Sequence, residues 1–178
     1  MSRLILRLAA VALAVAVATS AALAQTPGAS LGGATLERSV NNGGPAGTIS
    51  YYRTAKQLVI MVHTYNGGQR VPPGSSNPTV TSEFSHDLAD VSQQFKGSGY
   101  SDVEMPSVPS SCTYGSVTLR CITYSARSSN GARFYSKLLM TGAGGQFVKV
   151  RIDWGQALQQ TGADAEAALQ AFIPALLR

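Results

Sequence analysis

The sequence predicts an α+β domain, a mostly antiparallel sheet of about six or seven strands with two main helices packed on it. Three observations predict it. Residues 112–154 read as three consecutive strands joined by two tight turns, each containing glycine. Phe84, Leu88, Val91 and Phe95 recur at spacings of four, three and four, within one arc of a 3.6-residue helix. Ala165, Leu169, Phe172, Ile173 and Leu176 share one face of a second helix near the C-terminus.

Taken in order, the chain opens with Arg3 and Arg7 before an apolar run, residues 8–18, and Ala22-Leu23-Ala24 ends the segment. That pattern is a secretory signal peptide, residues 1–24, with the mature protein starting at Gln25. The run is too short and alanine-rich for a spanning anchor, which needs about 20 apolar residues. No transmembrane segment is expected after cleavage. Residues 25–33 read as a flexible lead and residues 34–178 as a single α+β domain. A chain of this length buries about 68–70% of its unfolded surface.

Residues 34–40 and 48–54 are the first two strands, separated by Asn41-Asn42-Gly43-Gly44-Pro45. Leu58-Val59-Ile60-Met61-Val62 is continuously apolar, as in a central strand buried on both faces. The turn-rich stretch 66–78 is long for a compact domain and is either functional or mobile. Thr81-Ser82 caps the first helix, Glu83 and Asp87 lie near its start, and Gly97-Ser98-Gly99 ends it. Residues 102–108 form a strand broken by Pro106, which places it at an edge. After Trp154, residues 156–160 make a short helical turn. Thr161 then caps the last helix, which Pro174 kinks or shortens.

The register of the central strands decides which side chains share a face. With Asn130-Gly131 as the centre of a type I′ turn, Arg127 faces Phe134, Ser125 faces Ser136, Thr123 faces Leu138 and Cys121 faces Met140. A five-residue loop over 142–146 then pairs Met140 with Val148, Leu138 with Val150, Ser136 with Ile152 and Phe134 with Trp154. One face holds Leu119, Cys121, Phe134, Leu138, Met140, Val148, Val150, Ile152 and Trp154. The other holds Arg120, Ile122, Tyr124, Tyr135, Lys137, Leu139, Lys149, Arg151 and Asp153, and is wet or covered by a polar partner. In this register Lys137 opposes Arg151, and like charges across strands repel.

The formal charge is +5, and removal of Arg3 and Arg7 leaves 12 basic and 9 acidic residues. An excess of that size does not point to nucleic acid. The two cysteines, Cys112 and Cys121, imply a disulfide in an exported chain. Closing so short a loop stabilises by about 2.5–3 kcal/mol in the chain-entropy model.

Motifs for chemistry are sparse. There is no H-x-x-x-H, P-loop, G-x-S-x-G elbow or G-x-G-x-x-G following a strand, so no metal and no cofactor is indicated. His63 follows the apolar strand on the side of Val59 and Met61, as a strand-end histidine satisfied by hydrogen bonds. His86 lies on the helix face away from Phe84, with Asp90 one turn on, an ordinary surface pair. A small hydrolase using His63 or His86 is the enzymatic alternative. No catalytic residue is assigned. The binding residues proposed from sequence are Arg120, Lys137, Lys149 and Arg151, with Tyr124 and Tyr135, facing an anionic envelope component or a protein partner.

The order of elements is three strands, a helix, four or so strands and a final helix. In order and length it resembles the Mog1/PsbP-like α/β sandwich over most of the mature chain. Members of that group tend to be accessory binding proteins, so the resemblance implies a non-enzymatic role and carries over no functional residue. The expected protein is a periplasmic or secreted binding or accessory protein of the cell envelope. A structural or stress-related envelope protein is the further alternative. Intact-mass measurement of the exported protein, before and after reduction and alkylation, should show a chain starting at Gln25 with no thiol open to alkylation until reduction.

Overall fold

Nine strands and two helices follow one another among residues 26–178, the residues that the computed structural model describes. The expected signal peptide lies outside them. In chain order they are β1 (Ser30–Leu31), β2 (Ala34–Gly43), β3 (Gly47–Thr54), β4 (Val59–Tyr65), α1 (Pro78–Gly97), β5 (Ser101–Glu104) and β6 (Ser110–Tyr114). After these come β7 (Val117–Arg127), β8 (Arg133–Ala143), β9 (Gln146–Gly155) and α2 (Gly162–Leu176). One antiparallel sheet runs β1-β2-β3-β4-β9-β8-β7-β5, and β6 shares the free side of β7 with β5. The expected α+β class with an antiparallel sheet and two helices is therefore the fold. The strand total exceeds the six or seven expected because β1 and other short pieces add to it.

The helices lie on opposite faces and cover different halves. Beneath α1, Phe84 and Phe95 are buried with Ile122, Tyr124, Leu138, Met140 and Phe147, while Leu88 and Val91 pack partly buried against them. Beneath α2, Ala165, Leu169, Phe172 and Ile173 meet Leu36, Tyr52, Ile60, Leu139, Val150 and Ile152. Pro174 stands in the last turn of α2, which ends two residues later. Thr161 caps that helix as expected, in a reciprocal box with Asp164.

Four expectations need correction. Asn77, not Thr81, caps α1: its side-chain oxygen accepts from the Val80 amide at 2.9 Å, with Pro78 in the first turn. The Asn77 amide nitrogen also donates to the Gly74 carbonyl at 2.7 Å, so the cap ties the preceding loop to the helix. β4 is central, but only Ile60, Val62 and Tyr65 are buried. Val59 and Met61 stay half-buried, because α1 packs over β7 and β8 rather than over β4. Within the segment read as a flexible lead, Ser30 and Leu31 pair with β2. A Cβ at Gly32 would lie 2.4 Å from the Phe172 Cα, so that turn is pressed against α2.

The fourth correction is the register of β8. The first hairpin turns through residues 129–131, with only Gly131 at positive φ (82°) and its amide donating to the Ser128 carbonyl at 2.9 Å. That is a β-turn closed by a left-handed glycine, the three-residue loop rather than the two-residue one. It places Arg127 opposite Arg133, Ser125 opposite Tyr135, Thr123 opposite Lys137 and Cys121 opposite Leu139. The second hairpin is the tighter one. Gly144 (φ 58°) and Gly145 (φ 79°) make a two-residue turn between Ala143 and Gln146, so Met140 faces Lys149 and Leu138 faces Arg151. Both loops are one step from the expected ones, and β8 alone is turned over relative to its neighbours.

The stretch 66–77 is built into the sheet. Gly74 and Gly142 exchange backbone bonds of 2.9 and 3.2 Å, the Val71 amide donates to Gly145, and Val71 is buried. Gly142 permits this approach, since a Cβ there would stand 2.0 Å from the Pro72 carbonyl oxygen. Gly142→Ala should therefore lower stability by about 1–3 kcal/mol in urea unfolding, as overpacking does. Amide exchange at Gly74 should accelerate with it.

Cys112 and Cys121 form the expected disulfide, with Cα atoms 5.9 Å apart. Cys112 opposes Leu119 and Cys121 opposes Ser110, so the bond runs diagonally across β6 and β7 rather than between facing residues.

Candidate functional site

β9 sends Lys149, Arg151 and Asp153 to the α1 side of the sheet, alternating with the buried Val148, Val150 and Ile152 on the α2 side. Across β8 their partners are Met140, Leu138 and Ser136, and across β4 they are His63, Met61 and Val59. β7 adds Arg120, Ile122 and Tyr124 to the same side. The α1 face thus carries a charged row set into an apolar floor.

Four of the six residues proposed from sequence share this face: Arg120, Lys149, Arg151 and Tyr124. Lys137 and Tyr135 do not. They belong to β8, whose parity is reversed, and they point to the α2 side. Lys137 pairs with Glu166 of α2 and lies 5.6 Å from the Tyr114 ring centroid, while Tyr135 stacks on Trp154 at 5.6 Å. Lys137 faces Ile152 and Thr123, so it does not oppose Arg151.

Lys149 and Arg151 meet their counter-charge inside the molecule. Lys149 donates to Asp87 of α1 at 2.8 Å, with 17% and 15% of the two side chains exposed. Its ammonium also stands 5.4 Å from the Tyr65 ring. Arg120 reaches the Thr81 hydroxyl at 3.3 Å, and Arg151 pairs with Asp153 at 3.1 Å. Asp153 also accepts from the Ser136 hydroxyl at 2.5 Å. Glu83 accepts from the Tyr65 hydroxyl at 2.7 Å. Asp87 Oδ2, Arg120 Nε and Arg151 Nε are buried without a hydrogen-bond partner among the described residues.

Burial sets the titration of this layer. It raises the Asp87 carboxyl above its usual range against the pull of Lys149. It raises Tyr124, and it raises Tyr65 with help from Glu83. It lowers His63, against the hydrogen bond to the Ala46 carbonyl at 2.8 Å. His63 also stacks on Tyr65 at 4.3 Å. His86 is exposed on α1. His63 lies on β4 and His86 on α1. Among the described residues, no three His, Cys, Asp or Glu side chains gather closely enough to hold a metal ion. No helix there is long and apolar enough to cross a membrane.

Beside the charged row, between the C-terminal half of α1 and strands β7, β8 and β9, lies a cleft of about 390 Å³. Arg151, Asp153, Ser136 and Tyr124 form its floor. Val91, Gln94, Phe95 and Ser98 of the helix side, with Tyr100 and Phe134, form its walls. Arg151 and Tyr124 are among the residues proposed from the sequence. Phe134 was missed because its strand was assigned the opposite parity, and the loop sequence around Asn130-Gly131 fits either register. Tyr100 was missed because it follows a glycine-rich turn and belongs to no periodic run.

No protein-family model matches the chain, and no curated protein matches it significantly. Its function has to be argued from this geometry.

Removing one partner of a buried pair leaves the other charge uncompensated. Lys149→Met should cost about 3 kcal/mol in chemical unfolding at neutral pH, and the double change with Asp87→Leu should recover most of it. The sign with pH follows from the raised folded value. The Asp87 contribution favours the fold below the unfolded carboxyl value and is lost as pH rises through the folded one. Lys149→Met should move the Asp87 titration still higher, as followed by carboxyl NMR shifts.

Proposed function

We propose that the chain is an exported, non-enzymatic binding or accessory protein of the cell envelope, holding a small organic ligand in the cleft beneath the end of α1. Export rests on the signal-like N-terminal sequence. The ligand site rests on one observation: a cavity of ligand size whose walls include Phe95, Tyr100 and Phe134 and whose floor carries a guanidinium paired with Asp153. The polar groups there are bound to each other in a way that suits holding a molecule rather than transforming one. Ser136 is buried and donates to Asp153, a carboxylate that Arg151 holds, and the cleft lining brings no histidine to that hydroxyl. Neither His63 nor His86 lines the cleft. The accessory role agrees with what the Mog1/PsbP-like order of elements implies.

A thermal-shift screen of small organic acids, amides and aromatics tests this reading. Gln94 is an exposed wall residue, so Gln94→Trp should fill the cleft and leave the fold intact. At a hundredfold excess over Kd, a cleft ligand should raise the wild-type Tm by about 5–10 °C. The Gln94→Trp protein should show no such shift. Equal shifts in both proteins would place binding elsewhere, and no shift from any compound would remove the small-ligand reading.

A further inference from the structure

We infer that the cleft selects an aromatic carboxylate, with the ring seated among Phe95, Tyr100 and Phe134 and the carboxylate on Arg151. The inference rests on the reading of the cleft as a ligand site and adds the chemical class.

The aromatic half comes from a cluster of four rings centred on Phe95. Its centroid lies 5.4 Å from Tyr100, 5.7 Å from Tyr124 and 5.8 Å from Phe134, and Tyr100 lies 5.2 Å from Phe134. Phe95–Tyr100, Phe95–Tyr124 and Tyr100–Phe134 are edge-to-face pairs, and such a box accepts a further ring in the offset or T-shaped geometry that aromatic quadrupoles favour. Tyr100 is held against its two phenylalanines with 39% of its surface open. A ligand ring would cover that surface without moving any strand.

The carboxylate half comes from a mismatch of donors and acceptors. Arg151 carries five N–H donors, and its ion-pair partner is Asp153, reached through Nη2. Nε is buried and unpaired, and 38% of the side chain is open. Asp153 has one oxygen on Arg151 and the other on Ser136. The other nearby carboxylate, Asp87, is mostly buried and holds Lys149. The floor therefore offers N–H donors of Arg151 beside carboxylates that already hold a cation, which suits an acceptor better than a cation. Asp153 orients the Arg151 guanidinium, whose strand neighbours are Leu138 and Met61, and an oriented guanidinium can recognise two oxygens at once. Asp153 is a positioning residue here. A cleft of about 390 Å³ is at the small end of ligand sites, enough for one ring with a short acid arm.

Isothermal titration calorimetry at low salt should use benzoate, phenylacetate, 3-phenylpropionate and indole-3-acetate, each beside its primary amide and beside acetate. At least one aromatic acid should bind the wild-type protein at least tenfold more tightly than its amide and than acetate. Tyr100→Ala, a change at an open position, should weaken that acid at least tenfold. Arg151→Met should erase the preference for acid over amide. Arg151→Lys, which keeps the charge and loses the fork, should reduce the preference several-fold and serves if the methionine variant does not fold. Amides binding as tightly as acids, with Gln94→Trp abolishing both, would overturn the carboxylate class and leave the cleft as a ligand site. Binding unaffected by Tyr100→Ala would overturn the aromatic half. No aromatic acid binding at millimolar concentration would overturn the inference, and the thermal-shift screen then decides separately whether the cleft takes any other ligand.

Discussion

Each strand can present only alternate residues to α1, and in β8 two short loops decide which ones. Residues 129–131 set β8 against β7, and Gly144-Gly145 sets it against β9. A change of one residue in both loops would exchange Phe134, Ser136, Leu138 and Met140 for Tyr135, Lys137 and Leu139 under the helix. The core beneath α1 would then receive Lys137 and lose the methionine and leucine that Ile122 packs against. Glycine conformations at Gly131, Gly144 and Gly145 fix the turns, and the apolar match on both faces fixes the same register independently.

With that parity set, the basic residues of the sheet fall opposite the acids of the helices. Lys149 meets Asp87 of α1, and Lys137 meets Glu166 of α2 on the other side. The basic sheet face read from the sequence had suggested an outside anion, and for Lys149 and Lys137 these pairs supply the counter-charge from within the chain. Such pairs add little net stability, because desolvating both partners offsets most of the attraction. Their effect is on specificity. A helix that slid by one turn along the sheet would strand Lys149 without Asp87 and Tyr65 without Glu83.

Much of the fold was legible in the sequence, and the reasons are local. The apolar arcs of both helices, the Thr161 cap, the edge position of β5 before Pro106 and the Cys112–Cys121 bond all follow from spacing or from residue chemistry near in sequence. The candidate site was half legible. Arg120, Lys149, Arg151 and Tyr124 lie on strands β7 and β9, whose relative parity was read correctly. Lys137, Tyr135 and Phe134 were misplaced together because they ride on β8. Asn-Gly suits a type I′ turn and also the last two positions of a three-residue loop, and nothing within the loop itself separates the two. The distinction lies in whether Phe134 or Tyr135 fits beneath Phe95, which is a tertiary fact.

The cleft follows from where small and polar residues fall under α1. Over Phe84 and Leu88 the sheet offers Ile122, Leu138 and Met140, and helix and sheet close on each other. One turn later the floor becomes Ser136, Arg151 and Asp153, with less apolar volume to meet Val91 and Gln94. The turn of α1 above Lys149 carries Asp87, but the turn beside the cleft carries Gln94 and no acid that reaches Arg151. Arg151 therefore takes its counter-charge from Asp153, two residues along the same strand. An ion pair made along the strand leaves the space above its guanidinium to the cleft, whereas a pair made to the helix, as at Lys149, spans that space. The open cleft and its paired guanidinium thus have one origin: the acid partner of Arg151 lies beside it and not above it.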